Sequence, residues 1–295
     1  MLRRPATWAP IVVAGVLAVL MSSCGGADQL AGAPTVGSTP ASPAPISSSS
    51  SEPPAPTTTV PPSSPSTSKP PAAKGKPNPP PGRVVVLDPG HNGGNASHPA
   101  EINAPVPDGR GRTKPCNTTG TSTNAGYTEH AFTWDVSVRV RDILTARGVS
   151  VMLTRPNDTG VGPCVNDRAA IGNRANPAAV VSIHADGATS AGSRGFHVAY
   201  SSPPLNDAQG EPSQRLARAL RDNLTSAGFP QSNYIGTAGL SPRNDLAGLN
   251  ISTRPTALVE CANMRNAGEA ATVSSADGRA RYAAAIADGI LAYIS

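Results

Sequence analysis

The chain has 295 residues and a formal net charge of +5 at pH 7. Five of its 24 lysines and arginines precede residue 83, against two of its 19 aspartates and glutamates, so the rest of the chain has a balance of only +2. A domain that binds nucleic acid usually concentrates positive charge on one face, and this distribution argues against a nucleic-acid partner.

Residues 1–23 have the organisation of a secretory signal peptide. Two arginines at the start precede a short apolar core, and small residues then lead up to Cys24. The core is shorter than the roughly 20 apolar residues that a spanning helix needs. The stretch Leu20–Cys24 resembles a bacterial lipobox, in which cleavage leaves the cysteine to carry lipid. The resemblance implies an exported chain anchored to the membrane through a lipidated Cys24, with ordinary secretion as the alternative.

Residues 24–82 are rich in Pro, Ser, Thr and Ala and show no apolar periodicity. Such a sequence cannot bury enough apolar surface to offset the entropy of ordering it. As a flexible coil it would reach roughly 40 Å, and in extended polyproline geometry roughly 180 Å. We predict a disordered tether between the membrane and a domain that begins at Arg83.

Arg83–Ser295 is long enough for one domain with a sizeable core. Apolar and β-branched runs predict strands at Val84–Leu87, Val149–Leu153, Ala179–Ile183, Phe196–Tyr200 and Ala257–Val259. Helical spacing predicts one helix capped by Thr128 and ending at Arg147-Gly148, and others over Asp167–Asn176, Gln214–Ala227 and Asp277–Ile294. Strands alternating with helices predict the α/β class: a single domain with a mostly parallel, mixed and twisted sheet flanked by helices on both faces.

Three cysteines lie in this domain. Cys116 and Cys164 stand in loops rich in proline or glycine, and Cys261 continues an apolar run. Because export favours oxidation, we expect Cys116 and Cys164 to pair and Cys261 to remain a buried thiol. The closed loop of about 48 residues would be worth about 4 kcal/mol in the chain-entropy model.

Four polar residues stand where predicted strands end or a helix begins. His91, His184 and Glu260 each follow an apolar strand, and Glu129 begins the helix after Thr128. Parallel strands place their carboxyl ends at one edge of a sheet, where ligands and catalytic groups collect. Two imidazoles and one carboxylate form the ligand set of a catalytic zinc site, and a further carboxylate can act as general base.

The motifs around these residues closely resemble those of the zinc-dependent N-acetylmuramoyl-L-alanine amidases, over essentially all of Arg83–Ser295. They occur in the order Leu87–His91, Gly126–Glu129, Ser182–Asp186 and Ala257–Glu260, followed by Asn263 and Asn266. The resemblance implies a phosphorylase/hydrolase-like sheet that holds one Zn²⁺ on His91, Glu129 and His184, with Glu260 as the catalytic base.

The implied activity is that of a peptidoglycan hydrolase. Glu260 would take a proton from zinc-activated water as it attacks the amide between N-acetylmuramic acid and L-alanine, and could return it to the departing amine. The partners would be peptidoglycan or muropeptides, the chain a monomer, and its location the bacterial cell envelope or periplasmic space.

The sequence departs from the family pattern in two places. Asn92 is inserted after the first histidine, and Asp186 stands where an asparagine is usual. Neither change removes a ligand, but the rim and local charge of the site could differ. The segment Asn92–Ala125 is also long, and could form a family-specific loop or lid.

Other polar residues receive structural interpretations at this point. We expect His130 to have a packing or surface role, and His197 either to cover the sheet, which we favour, or to line the cleft. Asp88 either fixes the turn before His91 or contacts a zinc-bound imidazole. Arg243 and Asn250 either line a substrate groove or belong to an ordinary polar loop.

Two other functions compete with the amidase. A zinc carboxypeptidase also uses two histidines and two glutamates on an α/β sheet, but its typical His-x-x-Glu spacing is absent after His91, where the acid arrives only at Glu129. A non-catalytic, tethered cell-wall-binding module is the second alternative, and the presence of all four chemical residues disfavours it.

Overall fold

The structure, a computed structural model, describes residues 84–295. The predicted signal peptide, Cys24 and the tether therefore lie outside the described residues. Within residues 84–295, no helix combines the length and hydropathy that crossing a bilayer would require.

Within the described part of the chain, eight strands form two sheets. In chain order they are β1 (Val84–Pro89), β2 (Pro105–Pro107), β3 (Thr113–Pro115), β4 (Ser150–Leu153), β5 (Ala179–Asp186), β6 (His197–Ser201), β7 (Leu240–Arg243) and β8 (Thr256–Asn263). The main sheet has the order β4-β1-β5-β8-β6-β7, and the first four of these strands are mutually parallel. Strand β6 runs antiparallel to β8, and β7 runs parallel to β6. The mostly parallel, mixed sheet predicted from the sequence is confirmed.

Helices cover both faces of this sheet. In chain order they are α1 (Pro99–Ile102), α2 (Glu129–Ala146), α3 (Val165–Ala175), α4 (Glu211–Ser226), α5 (Ala247–Ile251), α6 (Ala267–Ser274) and α7 (Ala276–Ile294). Helices α2, α4 and α7 pack together over one face, and α3 and α5 lie against the other. The sheet therefore lies between the main core, under α2, α4 and α7, and the opposite face, which carries the polar residues of β5 and β8.

The main core lies under α2, α4 and α7. The ring of Tyr282 packs edge-on against Phe132 and stacks on Phe229 at a centroid distance of 3.9 Å. Helix α2 buries the residues that its spacing of four places on one face: Phe132, Val136, Val140 and Leu144. Each such buried side chain contributes roughly 1.5–3 kcal/mol relative to an exposed one.

The two ends of α2 differ in how far they follow the prediction. Gly148 adopts φ +79°, as expected for a glycine that ends a helix. Thr128 occupies the N-cap position, but its hydroxyl accepts no hydrogen bond from the first turn. The Glu129 N–H donates instead to the backbone carbonyl oxygen of Thr121 at 2.9 Å, so a neighbouring loop does the capping.

Some short elements could not be read from the sequence. The hairpin of β2 and β3 consists of three-residue strands with proline at their ends, and β7 is an edge strand that contains Pro242. Proline is depleted from strands and tolerated only at their ends and edges, so neither pattern suggested a strand.

Candidate metal centre

The carboxyl-end edge of the parallel strands gathers the four residues singled out by the sequence. His91 follows β1, while His184 and Glu260 are paired in register near the ends of β5 and β8. Glu129, the first residue of α2, reaches the same edge. In β5, Ile183 and Ala185 point into the main core, so His184 between them points to the opposite face.

His91, Glu129 and His184 form a compact donor set. Oε1 of Glu129 lies 3.0 Å from Nε2 of His91 and 3.0 Å from Nδ1 of His184. The two imidazole rings meet edge to face, with centroids 4.9 Å apart. One ligand atom from each residue falls within 4.8 Å of the others, so two nitrogens and one carboxylate oxygen could hold a single divalent cation.

The site favours an ionised Glu129. Burial alone would raise the pKa of this carboxyl group, but the His91 and His184 imidazoles hold the pKa well below its usual range. The backbone N–H of Thr121 donates to Oε2 at 2.9 Å, and that of Ala185 to Oε1 at 3.1 Å. In turn the Glu129 carboxylate raises the pKa of His91 against the opposing effect of burial.

The backbone at His91 is held in an unusual conformation. His91 has φ 59°, in the left-handed region that non-glycine residues rarely adopt. Nη2 of Arg168 donates to its carbonyl oxygen at 2.7 Å, and the Thr118 carbonyl oxygen lies 3.1 Å from its Nδ1. The preceding residue, Gly90, leaves no room for a side chain, because a β-carbon there would lie 2.4 Å from Cε1 of His184.

Asp88 acts on this loop through Arg168. Its Oδ1 accepts from Nη1 of Arg168 at 2.9 Å, and its Oδ2 accepts from the Ser182 hydroxyl at 2.7 Å. Burial would raise the pKa of Asp88, but Arg168, Thr154 and Ser182 together bring it to about 2. Among the described residues the Asp88 carboxylate accepts hydrogen bonds from Thr154, Arg168 and Ser182 and bonds to neither imidazole of the centre, which does not support the alternative of a direct bond to one of these histidines.

Glu260 is the second carboxylate of the site. Its Oε2 is buried and has no hydrogen-bond partner among residues 84–295. Burial raises the pKa of Glu260 well above its usual range, and the carboxylates of Glu129 and Asp186 raise it further, while Arg243 opposes them. A carboxyl group held at a high pKa beside a metal-ligand set suits the transfer of a proton near neutral pH.

A cavity of about 390 Å³ opens at this centre and continues along the sheet face beneath α3 and α5. All four site residues line it. Its other walls include Lys114 and Pro115 of β3, the loop residues Asn117, Thr118, Gly120 and Thr121, and the apolar residues Val165, Val180, Leu246, Leu249 and Leu258. The cavity therefore has a polar end, formed by the four site residues, and a largely apolar wall.

The long segment before α2 forms one wall of this cavity. Cys116 and Cys164 form a disulfide with an S–S distance of 2.09 Å, and Cys261 is a buried free thiol. Asn92, which the sequence motif suggests is an insertion, is buried, and its Nδ2 donates to the Gly162 carbonyl oxygen at 3.0 Å. Its side chain therefore connects the segment after His91 to the loop before Cys164.

Several other polar residues take structural positions. Nδ1 of His130 lies 2.7 Å from Asp158, in agreement with a role outside the site. Arg243 pairs with Asp245, and Asn250 is buried, where its Nδ2 donates to the carbonyl oxygens of Asp108 and Asn244. Asn250 thus joins the β2–β3 hairpin to the segment before α5.

Sequence reasoning did not find Arg168, which organises the loop that carries His91. It is 4% exposed, although arginines in helices are usually solvated. Nothing local in the sequence distinguishes it from Arg174 on the same helix, because its partners Asp88 and His91 lie about 80 residues away in the chain.

In comparisons with known proteins, residues 85–292 match the family model described as N-acetylmuramoyl-L-alanine amidase. The chain is 50% identical over 214 residues to the N-acetylmuramoyl-L-alanine amidase Rv3717 of Mycobacterium tuberculosis, covering 72% of this chain and 87% of that protein.

Solved structures give the same result. The chain is similar to the N-acetylmuramyl-L-alanine amidase Ami1 from Mycobacterium smegmatis, with 52% identity and a TM-score of 0.70 over 72% of this chain and 97% of that one. It is similar to the apo form of Ami1 from Mycobacterium abscessus, with 54% identity and a TM-score of 0.70 over 72% and 99%. The amidase AmiC2 of Nostoc punctiforme is 26% identical, with a TM-score of 0.54 over 71% and 96%.

Proposed function

The chain belongs to the N-acetylmuramoyl-L-alanine amidase family, and from this premise we propose how its site works. It is a peptidoglycan hydrolase that cleaves the amide between N-acetylmuramic acid and the L-alanine of the stem peptide. We infer that the reaction depends on one zinc ion, held by His91, Glu129 and His184, with Glu260 as general base.

One observation carries this assignment. Glu129 Oε1 stands 3.0 Å from a nitrogen of each histidine, while the buried Oε2 of the neighbouring Glu260 has no hydrogen-bond partner within residues 84–295. Two imidazoles and one carboxylate fit zinc, which takes three protein ligands in catalytic sites and leaves one position open. When bound, zinc supplies Lewis acidity and lowers the pKa of a water molecule to about 7.

Glu129 and Glu260 then have different roles in the reaction. Glu129 stays ionised and holds the two imidazoles in place, because both imidazoles and two backbone N–H groups favour its charge. Glu260 accepts a proton from the attacking water as the new C–O bond forms. It returns that proton to the amide nitrogen as the C–N bond breaks, so that the peptide leaves with a free L-alanine amine.

A direct test compares the wild type with Glu260→Gln on purified peptidoglycan. We expect both proteins to retain one zinc per chain, and the variant to release less than a hundredth of the peptide with a free L-alanine amino terminus. Normal release by Glu260→Gln would reject Glu260 as the base, and full activity after complete zinc removal would reject the metal.

The same assay separates the alternative functions. A carboxypeptidase would free an amino acid from the carboxyl end of the stem peptide and leave the muramyl amide intact. A binding module would remain on the wall without releasing peptide. The cavity at the four site residues favours the amidase, since a module that only adheres to glycan has no use for it.

We also infer that the protein is exported and anchored through Cys24, with residues 24–82 as the tether. The support is the lipobox-like Leu20–Cys24 and the low apolar content of the following segment. Metabolic labelling with a fatty acid should mark the wild type and not Cys24→Ala, and an unlabelled wild type would indicate ordinary secretion. We expect a monomer, which light scattering after size-exclusion chromatography would test.

A further inference from the structure

His197 is the direct neighbour of Glu260 in the sheet. The two residues are paired in the antiparallel register between β6 and β8, and the residue after His197, Val198, points into the main core. Residues directly opposite in an antiparallel pair share one face, with Cβ atoms about 4.5–5.5 Å apart. His197 and Glu260 therefore stand side by side on the face that carries the metal centre.

Both side chains contain orphaned polar atoms. Nδ1 and Nε2 of His197 are buried without a hydrogen-bond partner in the described part of the chain, and so is Oε2 of Glu260. His197 as a whole is only 1% exposed. Buried polar atoms are bonded in the great majority of cases, and the exceptions call for an explanation in function. Here a potential N–H donor and an unfilled acceptor occupy adjacent positions.

Two other polar side chains near this face, Tyr234 and Glu269, form hydrogen bonds with residues other than His197. The ring of Tyr234 meets His197 edge to face at 6.4 Å, but its hydroxyl donates to Oδ2 of Asp186 at 3.0 Å. Glu269 accepts from the backbone N–H groups of Gly195 and Asn263. Burial lowers the pKa of His197 to about 4, with Asp186 opposing and Arg243 assisting, so the imidazole is neutral at pH 7 and keeps one N–H to donate.

We propose that His197 is a positioning residue for the amidase reaction: in the working site it donates its imidazole N–H to Oε2 of Glu260, a bond that the two adjacent side chains do not make in the described structure and reach by rotation. The proposal rests on the assignment of Glu260 as the base. With Oε2 held by His197, Oε1 remains free to take the proton from water and pass it to the amine. No bond of the substrate is made or broken by His197, which acts only by fixing the rotamer of the carboxylate.

The test compares His197→Leu with His197→Gln. Leucine fills the site without a donor, whereas glutamine keeps an N–H donor of similar reach. We expect His197→Leu to lower kcat about 10- to 100-fold, the range for groups that orient a catalytic shell, with KM and zinc content near the wild-type values. His197→Gln should recover most of the lost kcat. His98→Leu, an exposed histidine on a loop, is the matched control and should have no effect.

Thermal unfolding provides a second readout. His197→Leu removes a buried imidazole with one unsatisfied nitrogen but leaves Oε2 of Glu260 without its proposed donor, so these effects oppose each other and Tm should change little. A histidine that merely supports the fold would give the reverse, with a lower Tm and a normal kcat. The proposal is overturned by that pattern, by unchanged kcat in His197→Leu, or by equal loss in the leucine and glutamine variants. Activity in Glu260→Gln would instead reject the base assignment itself.

Discussion

Nη2 of Arg168 donates a hydrogen bond of 2.7 Å to the backbone carbonyl oxygen of His91, a residue 77 positions earlier in the chain. The same guanidinium donates to the carbonyl oxygen of Pro89 at 2.6 Å and to the carboxylate of Asp88 at 2.9 Å. Helix α3 therefore fixes the path of the chain from the end of β1 into the strained conformation at His91. The first histidine of the candidate metal centre is therefore positioned through its backbone, by a helix that contributes no residue to the described donor set.

Arg168→Met should damage both stability and metal affinity. It leaves Asp88 as a buried carboxylate without its cation, and such losses cost about 3–5 kcal/mol. It also frees the His91 carbonyl, so zinc affinity should fall about 10- to 100-fold. Urea unfolding and competition with a zinc chelator measure the two effects. The control Arg174→Met removes an exposed arginine from the same helix and should change neither. Unaltered zinc affinity in Arg168→Met would contradict the positioning role.

Asp88 should also make stability depend on acid pH. Its pKa is about 2 in the folded chain against 3.8 as the reference value. A depressed carboxyl pKa stabilises the fold above the unfolded pKa, and this contribution is lost as the pH falls through the window from about 4 to about 2. The wild type should lose about 2 kcal/mol more than Asp88→Asn between pH 5 and pH 2. Unfolding of EDTA-treated protein at several pH values measures this difference without a contribution from metal loss. Parallel curves for the two proteins would show that Asp88 is not the responsible group.

The sheet, and the meeting of His91, His184 and Glu260 at one edge of it, could be predicted because their signals are local. Each of β1, β5 and β8 is an apolar run that stops at a polar residue, and parallel pairing brings such ends together without further information. Arg168 and His197 could not be predicted in the same way. The role of Arg168 depends on partners about 80 residues away in the chain. The position of His197 beside Glu260 depends on the pairing register of β6 and β8, which the alternation of apolar and polar residues does not specify by itself.

Gly90→Ala should disturb the centre through His184. The new methyl group would lie 2.4 Å from Cε1 of the imidazole, so the ring has to shift from its present position beside Glu129. Overpacking of this kind costs about 1–3 kcal/mol, and zinc affinity should fall with it. Gly248→Ala adds the same methyl group at a glycine of the cavity wall, where no atom of another described residue lies within 4 Å, and should retain zinc. Equal zinc affinities in the two variants would show that the ring tolerates the contact.

The disulfide should contribute to stability more than to catalysis. It closes 48 residues, so its removal should lower the free energy of unfolding by about 4 kcal/mol in the chain-entropy model. The loop around Cys116, which lines the cavity, has other connections to the segment around Cys164. The Val165 N–H donates to the Cys116 carbonyl oxygen at 2.8 Å, and Nδ2 of Asn117 donates to the Pro163 carbonyl oxygen at 2.9 Å. The double variant Cys116→Ala/Cys164→Ala should therefore unfold at lower urea concentration but keep kcat at 25 °C within about twofold, because these bonds hold the loop beside the site. A reductant should shift the unfolding of the wild type and leave the double variant unchanged. A collapse of kcat in a variant that remains folded would show that the covalent bond itself shapes the cavity wall.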